Sequence, residues 1–347
     1  MSVQDAARPL GESMSRNPIT PTIPLDAQGV YHGFLKLPYS RDDSAWGSVM
    51  IPITVIAKGD GPTALLTGGN HGDEYEGPIA LQDLATSLQP EEITGRVIIL
   101  PMMNTPAVAA GTRCSPVDGA NMNRSFPGAP DGTVTQKICH YIATELVPRA
   151  DIVLDFHSGG RTLDFLPFAA AHVLDDKKQE AACMAAMQAF NAPYSVRMLE
   201  IDNVGMFDTE VERQGKVFVT TELGGAGTAT ARSIAIARKG IHNLLVHAGI
   251  KQGALQRDET VHLDMPDETC FTFAERSGLV EYLVDLGDTL RAGQPVARIW
   301  PADRSGEAPA ICTARRDGLL TARHVPGLVK MGDFIALVAV VEDQPDA

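Results

Sequence analysis

Thr63-Ala-Leu-Leu-Thr-Gly-Gly-Asn-His-Gly-Asp-Glu-Tyr-Glu-Gly77 is the stretch on which the fold and the chemistry of this chain turn. Thr63–Thr67 reads as a short buried strand, and a glycine-rich turn carrying His71 and Glu74 follows it. An imidazole and a carboxylate three residues apart reach one ion from a single turn of backbone. Zinc accepts that mixture of nitrogen and oxygen, and catalytic zinc sites keep three protein ligands and one open position. An isolated His-x-x-Glu is ordinarily a surface pair or a helix contact. Here the pair stands at a strand exit, where open α/β sheets place their ligand sites.

Two further strand exits carry the same kind of residue. Asp151-Ile-Val-Leu-Asp-Phe156 reads as a buried strand with His157 at its end, the best candidate for a third metal ligand. Val217-Phe-Val-Thr-Thr-Glu-Leu-Gly-Gly225 places Glu222 at the exit of another. A carboxylate there can take the proton of a water acidified by a metal; the plainer alternative is a cap on the glycine turn. Arg113, in the segment that starts at Asn104, offers a guanidinium for a developing oxyanion. Asn123 and Arg124 set an amide beside a guanidinium whose fork grips a carboxylate. Taken singly, such arginines are more often solvated surface groups.

Working outward, residues 45–250 alternate apolar runs with helical patterns. Strands are expected at Ser48–Ala57, Thr63–Thr67, Arg96–Leu100, Asp151–Phe156 and Lys216–Thr221. Helices are expected at Gly77–Ser87, Thr133–Leu146, Asp176–Phe190 and Thr228–His247, the last stopped by Gly249. Such alternation predicts an α/β mixed sheet with helices on both faces. Past residue 252 the helical period stops. Gly278–Ile299 and Gly318–Val340 each read as strand, Gly-Asp turn and strand, similar to the halves of a barrel-sandwich domain. A carrier of that type displays a lysine at a hairpin tip; the first half has none and Lys330 stands outside such a tip, so a structural or gating role is expected. The division expected is 1–44 (N-terminal arm and first strands), 45–251 (catalytic domain) and 252–347 (C-terminal β domain). Residues 1–25, broken by Pro9, Pro18, Pro21 and Pro24, are expected to lie on the surface or on a neighbouring subunit.

The whole chain excludes several classes. A net charge of −14 supplies no basic patch for nucleic acid or for an anionic membrane surface. No run of apolar residues is long enough to span a bilayer, and residues 1–20 hold no secretory signal. Five scattered cysteines without CxxC spacing fit reduced thiols and a cytoplasmic setting.

Taken in order, Gly-Asn-His71-Gly-Asp-Glu74, Asn104-Thr-Pro106, Arg113, Asn123-Arg124, Asp155-Phe-His157 and Glu222-Leu-Gly resemble the succinylglutamate desuccinylase/aspartoacylase family, part of the zinc carboxypeptidase superfamily. The resemblance runs from about residue 45 to 250, and the tail fits the family's C-terminal β extension. It implies a zinc-carboxypeptidase-like sheet and one Zn2+ per chain on His71, Glu74 and His157. It implies Glu222 as general base and proton donor, Arg113 as the carbonyl-polarising residue, and Asn123 with Arg124 on the substrate α-carboxylate. The activity implied is removal of an acyl group, such as acetyl, from a small N-acyl amino acid. Aspartoacylases hold a second substrate carboxylate. The stretch before Glu222 is instead acidic, at Glu200, Asp202, Asp208, Glu210 and Glu212, which suits an amine side chain or is simply an exposed acidic loop. A zinc carboxypeptidase would share the metal site and cleave dipeptides. A metal-free binding protein would purify without stoichiometric zinc. The arm and the tail both offer surfaces for a homo-oligomer.

Overall fold

The computed structural model describes residues 17–198 and 204–342. The chain begins with β1 (Thr20–Pro21), β2 (Gly29–Pro38), β3 (Ser48–Lys58) and β4 (Thr63–Thr67), followed by α1 (Glu76–Ser87), β5 (Gly95–Leu100) and α2 (Thr105–Ala110). Next, α3 (Val134–Tyr141) runs into a π-helical turn (Ile142–Leu146), then β6 (Ile152–His157), β7 (Leu163–Phe165) and β8 (Phe168–His172). The alternating part ends with α4 (Lys177–Phe190), β9 (Tyr194–Met198), α5 (Phe207–Arg213), β10 (Val217–Glu222) and α6 (Ala231–His247).

The helix starts follow from capping chemistry. Thr133 and Asp176, expected inside helices, are instead N-caps whose side chains accept backbone N–H groups of the first turn. Thr230 does the same for α6 and exchanges hydrogen bonds with Ser233, so that helix begins later than its apolar pattern alone indicates. Gly249, at φ +71°, follows the C-cap of α6, as a chain leaving a helix in the left-handed region requires.

Strands β5, β4, β6 and β10 lie side by side and parallel. The chain leaves β4 for β5 on one side and then passes to β6 on the other. Direction therefore reverses at β4, and a crevice opens beyond the strand ends there. Alternate side chains of these strands face opposite layers. Leu66, Leu154 and Val219 pack with α1, α4 and α6, while Leu65, Val153 and Phe218 pack with α3 and α5. Ile19 and Leu25 are buried in the second of these layers, so the described part of the arm belongs to this chain's own core. Residues 1–16 of the arm lie outside the described residues.

The tail holds β11 (Val261–Met265), β12 (Phe271–Phe273), β13 (Gly278–Tyr282), β14 (Thr289–Leu290), β15 (Pro295–Trp300), β16 (Ala310–Thr313), β17 (Gly318–His324), β18 (Leu328–Val329) and β19 (Phe334–Val341). Its two halves repeat in backbone as well as in sequence: Gly287 and Gly332, in the two Gly-Asp turns, share φ +93°. Each half lends its short strand to the other, β14 pairing with β17 and β18 with β13. A four-stranded antiparallel sheet, β16-β15-β13-β18, stands apart. The long strands of the second half do not. β11 pairs parallel with β9 and antiparallel with β19, which carries the large sheet into the tail. The cause is apolar: Phe168, Ala170 and Val196 share one buried cluster with Leu263, Leu319 and Leu337. The architecture is thus a mixed sheet flanked by helices plus a small β sheet. Among the described residues no helix is long and apolar enough to cross a membrane.

Candidate active site and metal centre

The exits of β4, β6 and β10 bring His71, Glu74, His157 and Glu222 to one edge of the sheet. Glu222 is the direct register partner of His157 across the parallel pair β10–β6. The turn after β4 is stitched to the next segment: the N–H groups of Met103 and Asn104 donate to the carbonyls of Gly68 and Gly69, and Asn104 Nδ2 donates to the Asn70 carbonyl at 3.0 Å. Asn104 therefore shapes the loop that holds His71. The same segment leads to Arg113, whose Nη1 lies 3.3 Å from His71 Nδ1 and 3.5 Å from Glu74 Oε1.

His71, Glu74 and His157 offer three ligand atoms within 4.8 Å of one another. Both imidazoles turn Nδ1 to the Glu74 carboxylate, His71 at 2.7 Å from Oε1 and His157 at 3.0 Å from Oε2. Both turn Nε2 outward onto an acceptor. His157 Nε2 meets Asp155 Oδ2 at 2.8 Å. His71 Nε2 meets Asn121 Oδ1 at 3.1 Å, an oxygen that also receives the Asn123 N–H. With a cation bound, each Nε2 can carry its proton outward onto these acceptors, leaving both Nδ1 atoms and the Glu74 carboxylate to face the ion. Such a set fits a divalent cation, with the outward bonds fixing tautomer and ring orientation. Asp155 is itself held by the Thr67 hydroxyl at 2.6 Å and by Asn70 Nδ2 at 3.3 Å.

The charges are arranged by burial and by neighbours. Burial lowers the His71 pKa, which favours the neutral, ligating imidazole. Burial also pulls His157 down, but Asp155 and Glu74 overcome it and leave its pKa well above the usual value. Burial works to raise the Glu74 carboxyl, yet the two adjoining imidazoles hold it far below the carboxylate range. Glu222 behaves in the opposite way. Burial, together with the charge of Glu74, pushes its pKa up to about 8, against the pull of His157 and Arg113. Its Oε2 is buried without a protein hydrogen-bond partner. A carboxylate so placed beside the cation set is equipped to exchange protons with a small molecule entering the crevice.

The turn Met122–Arg124 forms the other wall. Asn121 caps it and reaches His71, so this turn supports the metal set directly. Asn123 is buried and its Oδ1 accepts the Phe207 N–H at 2.9 Å, which leaves Nδ2 as its remaining donor. Arg124 is exposed, and its Nη1 donates to the Asn123 carbonyl at 2.6 Å. The acidic stretch divides. Glu210 pairs with Arg213, and Glu212 with His172 near the far end of β8, opposite the site edge. Asp208 adjoins Phe207 and hence the Asn123 turn, whereas Glu200 and Asp202 lie outside the described residues.

Sequence reasoning missed the outer supports Thr67, Asn70, Asn121 and Asp155. Asp155 was legible: it stands two residues before His157 on one strand, so both side chains point the same way. Asn121 was not, because its role depends on a loop returning to His71 from fifty residues away.

Residues 60–248 match the model of the succinylglutamate desuccinylase/aspartoacylase catalytic domain. The N-alpha-acetyl-L-2,4-diaminobutyric acid deacetylase of Halomonas elongata is 57% identical over 327 residues, 94% of this chain and 96% of that one. The product-bound ectoine utilization protein EutE (DoeB) from Ruegeria pomeroyi superposes with a TM-score of 0.92 at 63% identity, covering 94% of this chain and 99% of that one. A succinylglutamate desuccinylase/aspartoacylase from Rhodobacter sphaeroides gives 0.89 at 40% identity, over 94% of this chain and 100% of that one. With its parallel strand exits, its His-Glu-His set and these likenesses over nearly its whole length, the chain belongs to the succinylglutamate desuccinylase/aspartoacylase family.

Proposed function

We propose that this protein is a zinc-dependent amidohydrolase that converts N-alpha-acetyl-L-2,4-diaminobutyrate to L-2,4-diaminobutyrate and acetate in ectoine breakdown. The observation that carries the chemistry is Glu222, half-buried, its Oε2 buried and unpartnered, in register with His157 beside the His-Glu-His set. The substrate follows from the deacetylase name of the Halomonas elongata relative and from the ectoine utilization protein of Ruegeria pomeroyi.

His71, Glu74 and His157 would hold the zinc ion, which would supply the Lewis acidity that acidifies water and polarises an amide carbonyl. Arg124 and the Asn123 amide hold the substrate α-carboxylate, which fixes the scissile amide between Arg113 and Glu222. Glu222 takes a proton from water as its oxygen bonds to the carbonyl carbon. Arg113 faces the oxygen on which negative charge develops. The carbon–nitrogen bond then breaks as Glu222 returns the proton to the leaving nitrogen. Acetate and the free amino acid are the products.

Proton NMR of the zinc-loaded protein tests the reading. The substrates are N-alpha-acetyl-L-2,4-diaminobutyrate, its N-gamma isomer, N-acetylaspartate, succinylglutamate and a simple dipeptide. Acetate release from the N-alpha compound, with little turnover of the others, is expected. Preference for N-acetylaspartate or succinylglutamate would overturn the substrate, and turnover of the dipeptide alone would make the protein a peptidase.

A further inference from the structure

Strand β7 is three residues long, yet both its sides are held. On one side β17 of the tail pairs with it in the register Ala322↔Phe165, Arg323↔Asp164 and His324↔Leu163. The flanking bonds extend the clasp: the Leu166 N–H donates to the Thr321 carbonyl at 2.8 Å, and the Val325 N–H to the Thr162 carbonyl at 2.9 Å. Arg323 adds a side-chain link. Its Nη2 lies 3.5 Å from Asp164, its Nη1 3.1 Å from Asp285, and its guanidinium 5.8 Å from the centre of the Tyr282 ring.

On the other side β7 meets the turn that leaves Glu222. Asp164 forms a β-bridge with Gly225. The Ala226 N–H donates to the Leu163 carbonyl at 2.9 Å. The Gly224 carbonyl accepts from Phe165 at 3.1 Å and from Gly159, two residues past His157, at 2.9 Å. The contact is too close for side chains: a Cβ at Gly159 or Gly225 would stand 2.2 or 2.1 Å from the Leu163 oxygen. The backbone beyond His157, the backbone beyond Glu222 and the tail therefore meet at β7.

We propose that the C-terminal β unit sets the position of Glu222 through β7, and that Arg323 is the positioning residue at this clasp. The inference rests on the proposed role of Glu222. A carboxylate with no partner at one oxygen has little of its own to hold it, so its aim depends on the backbone that follows. Small misplacements of catalytic groups are costly to turnover. The Arg323–Asp164 pair is partly solvated, so its loss changes overall stability little.

The test uses full-length, zinc-loaded protein carrying Arg323→Ala, Arg323→Lys or Val325→Pro, with Arg298→Ala on the separate small sheet as control. Turnover is read alongside backbone hydrogen exchange over residues 158–166 and 222–228. Arg323→Ala is expected to lower kcat roughly three- to thirty-fold at near-normal KM, and to speed exchange in both segments. Arg323→Lys should retain most of kcat, Val325→Pro should exceed Arg323→Ala, and Arg298→Ala should match wild type. Unchanged kcat in Arg323→Ala, or a loss of kcat without faster exchange, overturns the proposal. If Val325→Pro does not fold, Arg323→Ala decides. A wild-type protein that releases no acetate would defeat the deacetylase reading instead, while exchange would still report whether the clasp holds.

Discussion

Two carboxylates at one site differ because their neighbours differ. Glu74 lies between two imidazoles and stays ionised, whereas burial and the charge of Glu74 hold the Glu222 pKa at about 8 when no cation is bound. A bound cation would oppose that repulsion and return Glu222 to the carboxylate that its proposed role as general base requires. With a folded pKa of about 8 against an ordinary 4.5, ionising Glu222 costs the metal-free fold stability as pH rises through that window. Glu222→Gln removes the cost. The metal-free variant should melt above metal-free wild type at pH 8.5 and level with it at pH 4.5 or below. Zinc content should stay normal while kcat falls roughly 10²- to 10⁴-fold. Scanning calorimetry at the two pH values, with metal analysis and turnover, checks this; a variant that keeps wild-type kcat removes Glu222 from proton transfer.

At the scale of elements, the periodic patterns named the strands and helices that build the site, because apolar alternation and burial are local to each segment. Thr63–Thr67 is observed with the ends expected, and β6 and β10 differ from expectation by one residue at each end. Helix starts drifted by up to three residues because caps, not apolar positions, fix them. The membership of β11, β17 and β19 in the large sheet was not legible, since pairing with β7 and β9 is a contact between distant segments. Nor was the α4–α6 contact. Gly240 of α6 lies against the buried Phe190 of α4, where a Cβ would stand 2.1 Å from ring atom Cζ. Gly240→Ala overpacks this contact and should destabilise the protein by about 1–3 kcal/mol. This seam packs beneath the sheet rather than at the strand exits, so kcat per folded molecule should hold. Denaturant unfolding with a titrated active-site count separates the two effects. A fall in kcat per active site would place α6 in the working geometry of the crevice.

For the molecule as a whole, the cation set is a cross-link. It joins the turn after β4 to the end of β6, two segments whose intervening chain visits α1, β5, α2 and α3. The unfolded chain has no such preformed set, so a cation that binds the native arrangement stabilises it by mass action. At a free zinc concentration one hundred times Kd the gain is about 2.7 kcal/mol. For a chain of 347 residues, with an unfolding entropy of about 2.1 cal/mol/K per residue, that gain raises the melting midpoint by about 4 °C. Removing metal with a chelator should lower the midpoint by this amount and abolish turnover, and returning zinc should restore both. Glu74→Gln keeps the shape of the side chain but loses the charge that faces both imidazoles, so added zinc should no longer raise its midpoint. Glu222→Gln, which spares the ligands, should still respond to zinc. A Glu74→Gln protein that responds like wild type would remove the Glu74 charge from the hold on the ion.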